Sequence, residues 1–73
     1  MHVSFTDYAL LRMHQRDILE EEVRAILDSP PSRHKSRRDG RNEARGRLRR
    51  KHLLVVYVRR DAGVEVLNAM WED

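Results

Sequence analysis

The chain contains no cysteine, which removes disulfides, thiol nucleophiles and cysteine-based zinc sites from consideration. Aromatic residues are scarce, at one Phe, two Tyr and one Trp, so any core is built mainly from aliphatic side chains. With three glycines and two prolines, no linker or low-complexity segment divides the chain. The longest apolar run, 53–58, is far short of the ~20 residues that a membrane-spanning helix needs. The opening residues lack a cationic segment followed by an apolar stretch, so no signal peptide is expected. His2, His14, His34 and His52 show no metal-ligand spacing, and neither a metal nor another cofactor is expected. A cytoplasmic protein without membrane contact is the resulting expectation. At 73 residues the chain reads as one domain, 1–73, which buries only roughly 60% of the surface its unfolded state exposes. Association, including a homodimer, is one way such a domain gains stability.

Positive charge is abundant and segregated. Ten of the fifteen Lys and Arg residues lie between Arg33 and Lys51, against only Asp39 and Glu43. The remaining residues carry five Lys/Arg and ten Asp/Glu, so a net charge of +3 hides a local excess of +8. Segregation of this size favours a polyanionic partner over a merely solvated face. From Arg45 to Arg49 every second residue is Arg, with Gly46 and Leu48 between. Because successive strand side chains point to opposite faces, Arg45, Arg47 and Arg49 are expected to share one face, with Ala44, Gly46 and Leu48 toward a core. Arg33, Lys35 and Arg37 suggest the same pattern one strand earlier.

The hydrophobic pattern gives an order of elements. His2 to Phe5 suits a short strand. Thr6 can cap a helix from Asp7 to Arg16, with Asp7 at the positive end of its dipole. Asp17-Ile18-Leu19-Glu20 has the form of a capping box for a second helix. Val23, Ile26 and Leu27 give that helix an apolar stripe, and Ser29-Pro30-Pro31 stops it. Thereafter the period becomes two. Arg33 to Arg38 is a weak strand, Asp39-Gly40 a hairpin turn, and Asn42 to Arg49 the next strand. Arg50-Lys51 reads as a turn or bulge. His52 to Arg59 is apolar on both faces and therefore central, and Val64 to Trp71 is the last strand. The expected fold class is α+β: a short strand, then two helices packed on a three- to four-stranded antiparallel sheet.

These residues carry a resemblance. Phe5-Thr6-Asp7-Tyr8-Ala9-Leu10-Leu11-Arg12-Met13-His14-Gln15-Arg16-Asp17-Ile18, with Glu20-Glu21-Glu22-Val23, resembles the opening of a small bacterial domain-of-unknown-function family (number four-two-five-eight). Its pattern reads F-S-x-H-A-x-x-R-M-x-x-R-G-I-S-x-x-x-V, and this chain has Tyr8 for the His, Asp17 for the Gly and Leu19 for the Ser. The segments 42–47, 53–58 and 64–69 also resemble that family and the BrnT toxins. The resemblance implies a RelE/BrnT-like fold with helices on a twisted antiparallel sheet. It further implies a metal-independent ribonuclease toxin with a cognate antitoxin, in which Arg, Lys, His or Tyr stabilise the phosphate while the 2′-hydroxyl attacks in line.

The candidate catalytic residues are Arg12, His14, Tyr8, His52 and Arg45. Arg12 matches the family Arg; it either binds phosphate or pairs with Asp7, Asp17 or Glu43. His14 and His52 titrate nearest neutral pH, although isolated histidines are more often plain surface groups; His34 is a weaker candidate. Arg33, Lys35, Arg37, Arg45, Arg47 and Arg49 are the candidate RNA-binding cations, the alternative being protection of a strand edge. Trp71 either stacks a base or completes the core. Tyr57 belongs to the core, and Glu43 fits an ion pair with Arg45 better than a general base. Three functions remain open: an endoribonuclease of toxin–antitoxin type acting on RNA, a non-catalytic nucleic-acid-binding or regulatory module, and a domain whose basic face binds an acidic partner such as an antitoxin.

Overall fold

The computed structural model describes residues 1–72, apart from the side chain of Ser32. The elements are β1 (His2–Phe5), α1 (Asp7–Gln15), α2 (Glu20–Leu27), a 3₁₀ turn (Pro31–Arg33), β2 (His34–Ser36), β3 (Asn42–Leu48), β4 (Lys51–Arg60) and β5 (Gly63–Glu72). Their sheet order is β1-β5-β4-β3-β2. The α+β class is as the sequence indicates, but the sheet has five strands and is mixed rather than three- to four-stranded and antiparallel. The difference lies in β1, which pairs parallel with β5 from His2↔Gly63 to Phe5↔Val66. No side-chain period reveals that pairing, because it is made of backbone hydrogen bonds between the two ends of the chain.

Each helix is set by its ends. Thr6 accepts a hydrogen bond from the Ala9 N–H at 3.0 Å, capping α1. At the other end the Ile18 N–H donates to the Met13 carbonyl and the Asp17 N–H to that of His14. This is a Schellman closure, and Asp17 occupies its left-handed position with φ 56°. The expected Asp17–Glu20 capping box is therefore absent. Asp17 ends the first helix rather than starting the second, and the Glu22 carboxylate accepts the Leu19 N–H at 2.9 Å instead. Helix α2 buries Val23, Ile26 and Leu27, three positions on one face at helical spacing.

Strand β4 occupies the middle of the sheet, as its two-sided apolar pattern requires. Leu53, Val55 and Tyr57 face the helices and join Ala9, Met13, Val23, Val66 and Ala69 in one core. Full burial of such aliphatic side chains stabilises by roughly 1.5–3 kcal/mol each, so this layer carries most of the fold. Gly46 on β3 lets α2 approach, since a Cβ there would sit 2.5 Å from Ile26 Cδ1. The β2–β3 loop is Arg38–Gly40, closed by the Arg37 N–H donating to Arg41 carbonyl at 2.7 Å, with Gly40 at φ 86°. That is a three-residue hairpin with its glycine in the left-handed position. β2 is shorter than the expected 33–38, because Pro31 to Arg33 is taken into the 3₁₀ turn.

Candidate nucleic-acid interface

The helices cover one face of the sheet and leave the other open. Register fixes the open face: Arg47, His52 and Glu72 form one cross-strand row, Arg45, Leu54 and Met70 the next, and Glu43, Val56 and Asn68 the third. Lys35 pairs with Glu43 and continues that last row. Alternation thus places Arg45 and Arg47 together as the sequence indicates. Arg49 departs from the set. It and Arg50 form a two-residue turn between Leu48 and Lys51, with φ 51° and 64°, and this reverses the chain before Arg49 can face outward with Arg45. Its guanidinium instead reaches the helix side, 2.8 Å from the Glu22 carboxylate and 3.2 Å from that of Asp17. Those carboxylates, Glu22 foremost, hold the Arg49 pKa above its ordinary value.

Around Arg45 the charge on the open face is compensated rather than bare. Glu43 is only 8% exposed and accepts from both Arg37 and Arg45. Arg45 also donates to Glu72 at 2.9 Å. The resulting chain, Arg37–Glu43–Arg45–Glu72, alternates in sign across the sheet. The hydrogen bond from Arg45, with a smaller contribution from Arg37, lowers the Glu43 pKa against the opposing effect of burial. Glu72 and then Glu43 raise that of Arg45. The ion-pair reading of Glu43 is what the structure contains, and Val56 in the same row and Leu54 in the next are buried.

Beside this chain lies a groove of about 470 Å³ lined by Thr6, Tyr8, Arg37, Arg41, Val56, Leu67, Asn68 and Met70. The start of α1 forms one wall, the β2–β3 hairpin the other, and β4 and β5 the floor. Tyr8 is 56% exposed, and the Arg12 guanidinium lies 5.9 Å from its ring centroid. Arg12 donates to Gln15 at 3.1 Å, while its buried Nε has no hydrogen-bond partner among the described residues. None of the expected pairings of Arg12 with Asp7, Asp17 or Glu43 is formed. Arg41 and the apolar floor were not foreseen. The Asp39-Gly40 turn held the signal for Arg41, because a hairpin there sets it opposite Arg37. The bulge at Val56/Tyr57, which places Leu67 on this face, left no sequence mark.

The other candidates lie elsewhere. His14 is exposed on α1, and His52 is exposed between Arg47 and Glu72; neither lines the groove. Arg33 is exposed at the end of the 3₁₀ turn. Trp71 is half-buried against the core; its indole N–H donates to the Arg16 carbonyl at 2.8 Å, and Arg49 and Lys51 lie 4.9 and 5.5 Å from its ring centroid. His34 bonds the Tyr57 hydroxyl through Nδ1 at 2.7 Å and the Ser29 carbonyl through Nε2 at 3.2 Å. A carbonyl only accepts, so in the neutral ring Nε2 carries the hydrogen and Nδ1 accepts from the tyrosine. Among the described residues no cluster of three His, Asp or Glu side chains is placed to hold a metal ion, and no helix is long and apolar enough to cross a membrane. No family model, curated protein or solved structure matches the chain.

Proposed function

We propose that the domain is a metal-independent endoribonuclease of the RelE/BrnT-like toxin kind, holding RNA in the groove between α1 and the β2–β3 hairpin. The observation that carries the reading is the meeting of Tyr8 with Arg37 and Arg41 over an apolar floor, from segments that are about thirty residues apart in the sequence. An aromatic ring offers a base a stacking surface, and guanidinium groups offer a phosphate paired donors. In the proposed step the 2′-hydroxyl loses its proton and its oxygen bonds to phosphorus. The P–O5′ bond breaks, the 5′-oxygen takes up a proton, and a 2′,3′-cyclic phosphate remains. Arg37 and Arg41 stabilise the charge that gathers on the phosphoryl oxygens, and Tyr8 is the proton-transfer group within reach.

The absence of any imidazole from the groove lining favours a second reading, RNA binding without cleavage. Tyr8→Phe separates the two. It keeps the ring and removes the hydroxyl, so cleavage of a defined RNA should fall by about 10²-fold or more while affinity changes little. Cleavage unaffected by this change removes Tyr8 from the chemistry. Salt-sensitive binding by an unaltered chain that never cuts RNA leaves the binding module. A cognate antitoxin remains part of the toxin reading, and a chain that binds an acidic protein but no RNA at low salt would replace both.

A further inference from the structure

The β3–β4 hairpin tip is built against backbone preference. A two-residue turn with both residues left-handed ordinarily takes Asn-Gly or Gly-Gly, because a Cβ crowds the following carbonyl in that conformation. Here the two residues are Arg49 and Arg50, at φ 51° and 64°. Arg49 has a structural occupation that accounts for its presence: it joins the tip to Asp17 and Glu22 of the helix layer and lies over Trp71. Arg50 has none. It is exposed and makes no hydrogen bond or ion pair among the described residues. Arg47 and His52 pair across the strands one step before the turn, and Arg47 is likewise without an ion pair among those residues. Strained residues persist where the surroundings hold them, and an observed outlier is grounds for a functional hypothesis.

Resting on the RNA reading above, we infer that Arg50 and Arg47 form a second phosphate-binding site at the hairpin tip, which holds the backbone of the same RNA beyond the groove. The groove and the tip lie at opposite ends of β3 (Asn42–Leu48), about 20 Å apart at the rise of a strand. A single strand occupying both runs along β3, past the compensated Arg45. The tip therefore serves as an anchor that discriminates by RNA length and makes no contribution to the chemistry.

Arg50→Asn tests this, because asparagine tolerates the left-handed conformation and removes only the cation. The probe is a fluorescently labelled single-stranded RNA of about 12 nucleotides, within the range that single-strand sites cover, titrated at several salt concentrations. The variant should melt no lower than the parent. It should bind about fivefold more weakly near 0.1 M salt, with the salt slope reduced by about 0.7. A dinucleotide, too short to leave the groove, should show no difference between the two proteins. Equal affinity and slope for the long RNA overturn the anchor while leaving the groove reading intact. A parent that binds neither probe at low salt overturns both. A variant that loses affinity for the dinucleotide equally also overturns the anchor, because Arg50 would then belong to the groove.

Discussion

Replacing Glu43 by Gln should make the domain less stable and yet a better ligand for RNA. The carboxylate accepts charge-assisted hydrogen bonds from Arg37 and Arg45, and hydrogen bonds to charged groups contribute roughly 1.5–3 kcal/mol each. The two arginine side chains are 33% and 43% exposed, so water recovers part of what they lose, and the net cost is about 2 kcal/mol. For 73 residues, an unfolding entropy of about 2.1 cal/mol/K per residue converts this to a fall in Tm of about 13 °C. Arg37 then lacks its counter-charge while Arg45 keeps Glu72, and the salt slope of RNA binding should steepen by about 0.7. The same pair predicts the acid response. Glu43 titrates below its ordinary value near 4.5, so its contribution is complete above that value and is lost as pH falls through the lowered one. Thermal melts from pH 7 to pH 3 should show this loss in the parent and a flatter profile in Glu43→Gln. A variant melting within about 3 °C of the parent at pH 7 would refute the reasoning, because the Arg37–Glu43–Arg45 chain would then be ornamental to stability.

Two further substitutions probe the scaffold. Gly63→Ala sets a Cβ onto the backbone of His2, which cannot retreat without breaking the β1–β5 pairing, so urea unfolding should show a loss of about 3 kcal/mol or more; a midpoint shift equivalent to under about 1 kcal/mol would mean that β1 yields freely. Tyr57→Phe removes the hydroxyl that His34 Nδ1 accepts from at 2.7 Å and should cost about 1–2 kcal/mol in the same assay, with unchanged stability showing that the ring nitrogen finds another partner.

What the sequence shows of this fold is what alternation and capping control. The two-sided apolar run of β4 announces its central place, and the stripe of Val23, Ile26 and Leu27 announces a helix lying on the sheet. Alternation also places Arg45 and Arg47 on one face, and it fails at Arg49 for a local reason. The sequence indicates a turn at Arg50-Lys51, but the chain reverses one residue earlier, through left-handed Arg49 and Arg50 with Lys51 already in β4, and no glycine or asparagine marks the spot. Asp17 misleads in the same way, since its residue type suits a cap while its backbone takes the left-handed place where the resembling pattern has glycine. The groove was harder to anticipate. Tyr8 and Arg37 were each visible as candidates, but their meeting depends on which strand α1 runs beside, and tertiary pairing decides that. The compensation of Arg45 by Glu72 was also hidden, because those residues are brought together only through the register of β3 and β5 on β4.

The parallel seam between β1 and β5 joins His2 to Gly63, a loop whose closure entropy alone amounts to about 3.5 kcal/mol. Pairing β1 thus costs more chain entropy than closing any of the hairpins β2–β3, β3–β4 or β4–β5. The seam also covers the outer edge of β5, which would otherwise present unpaired backbone groups to a strand of another chain.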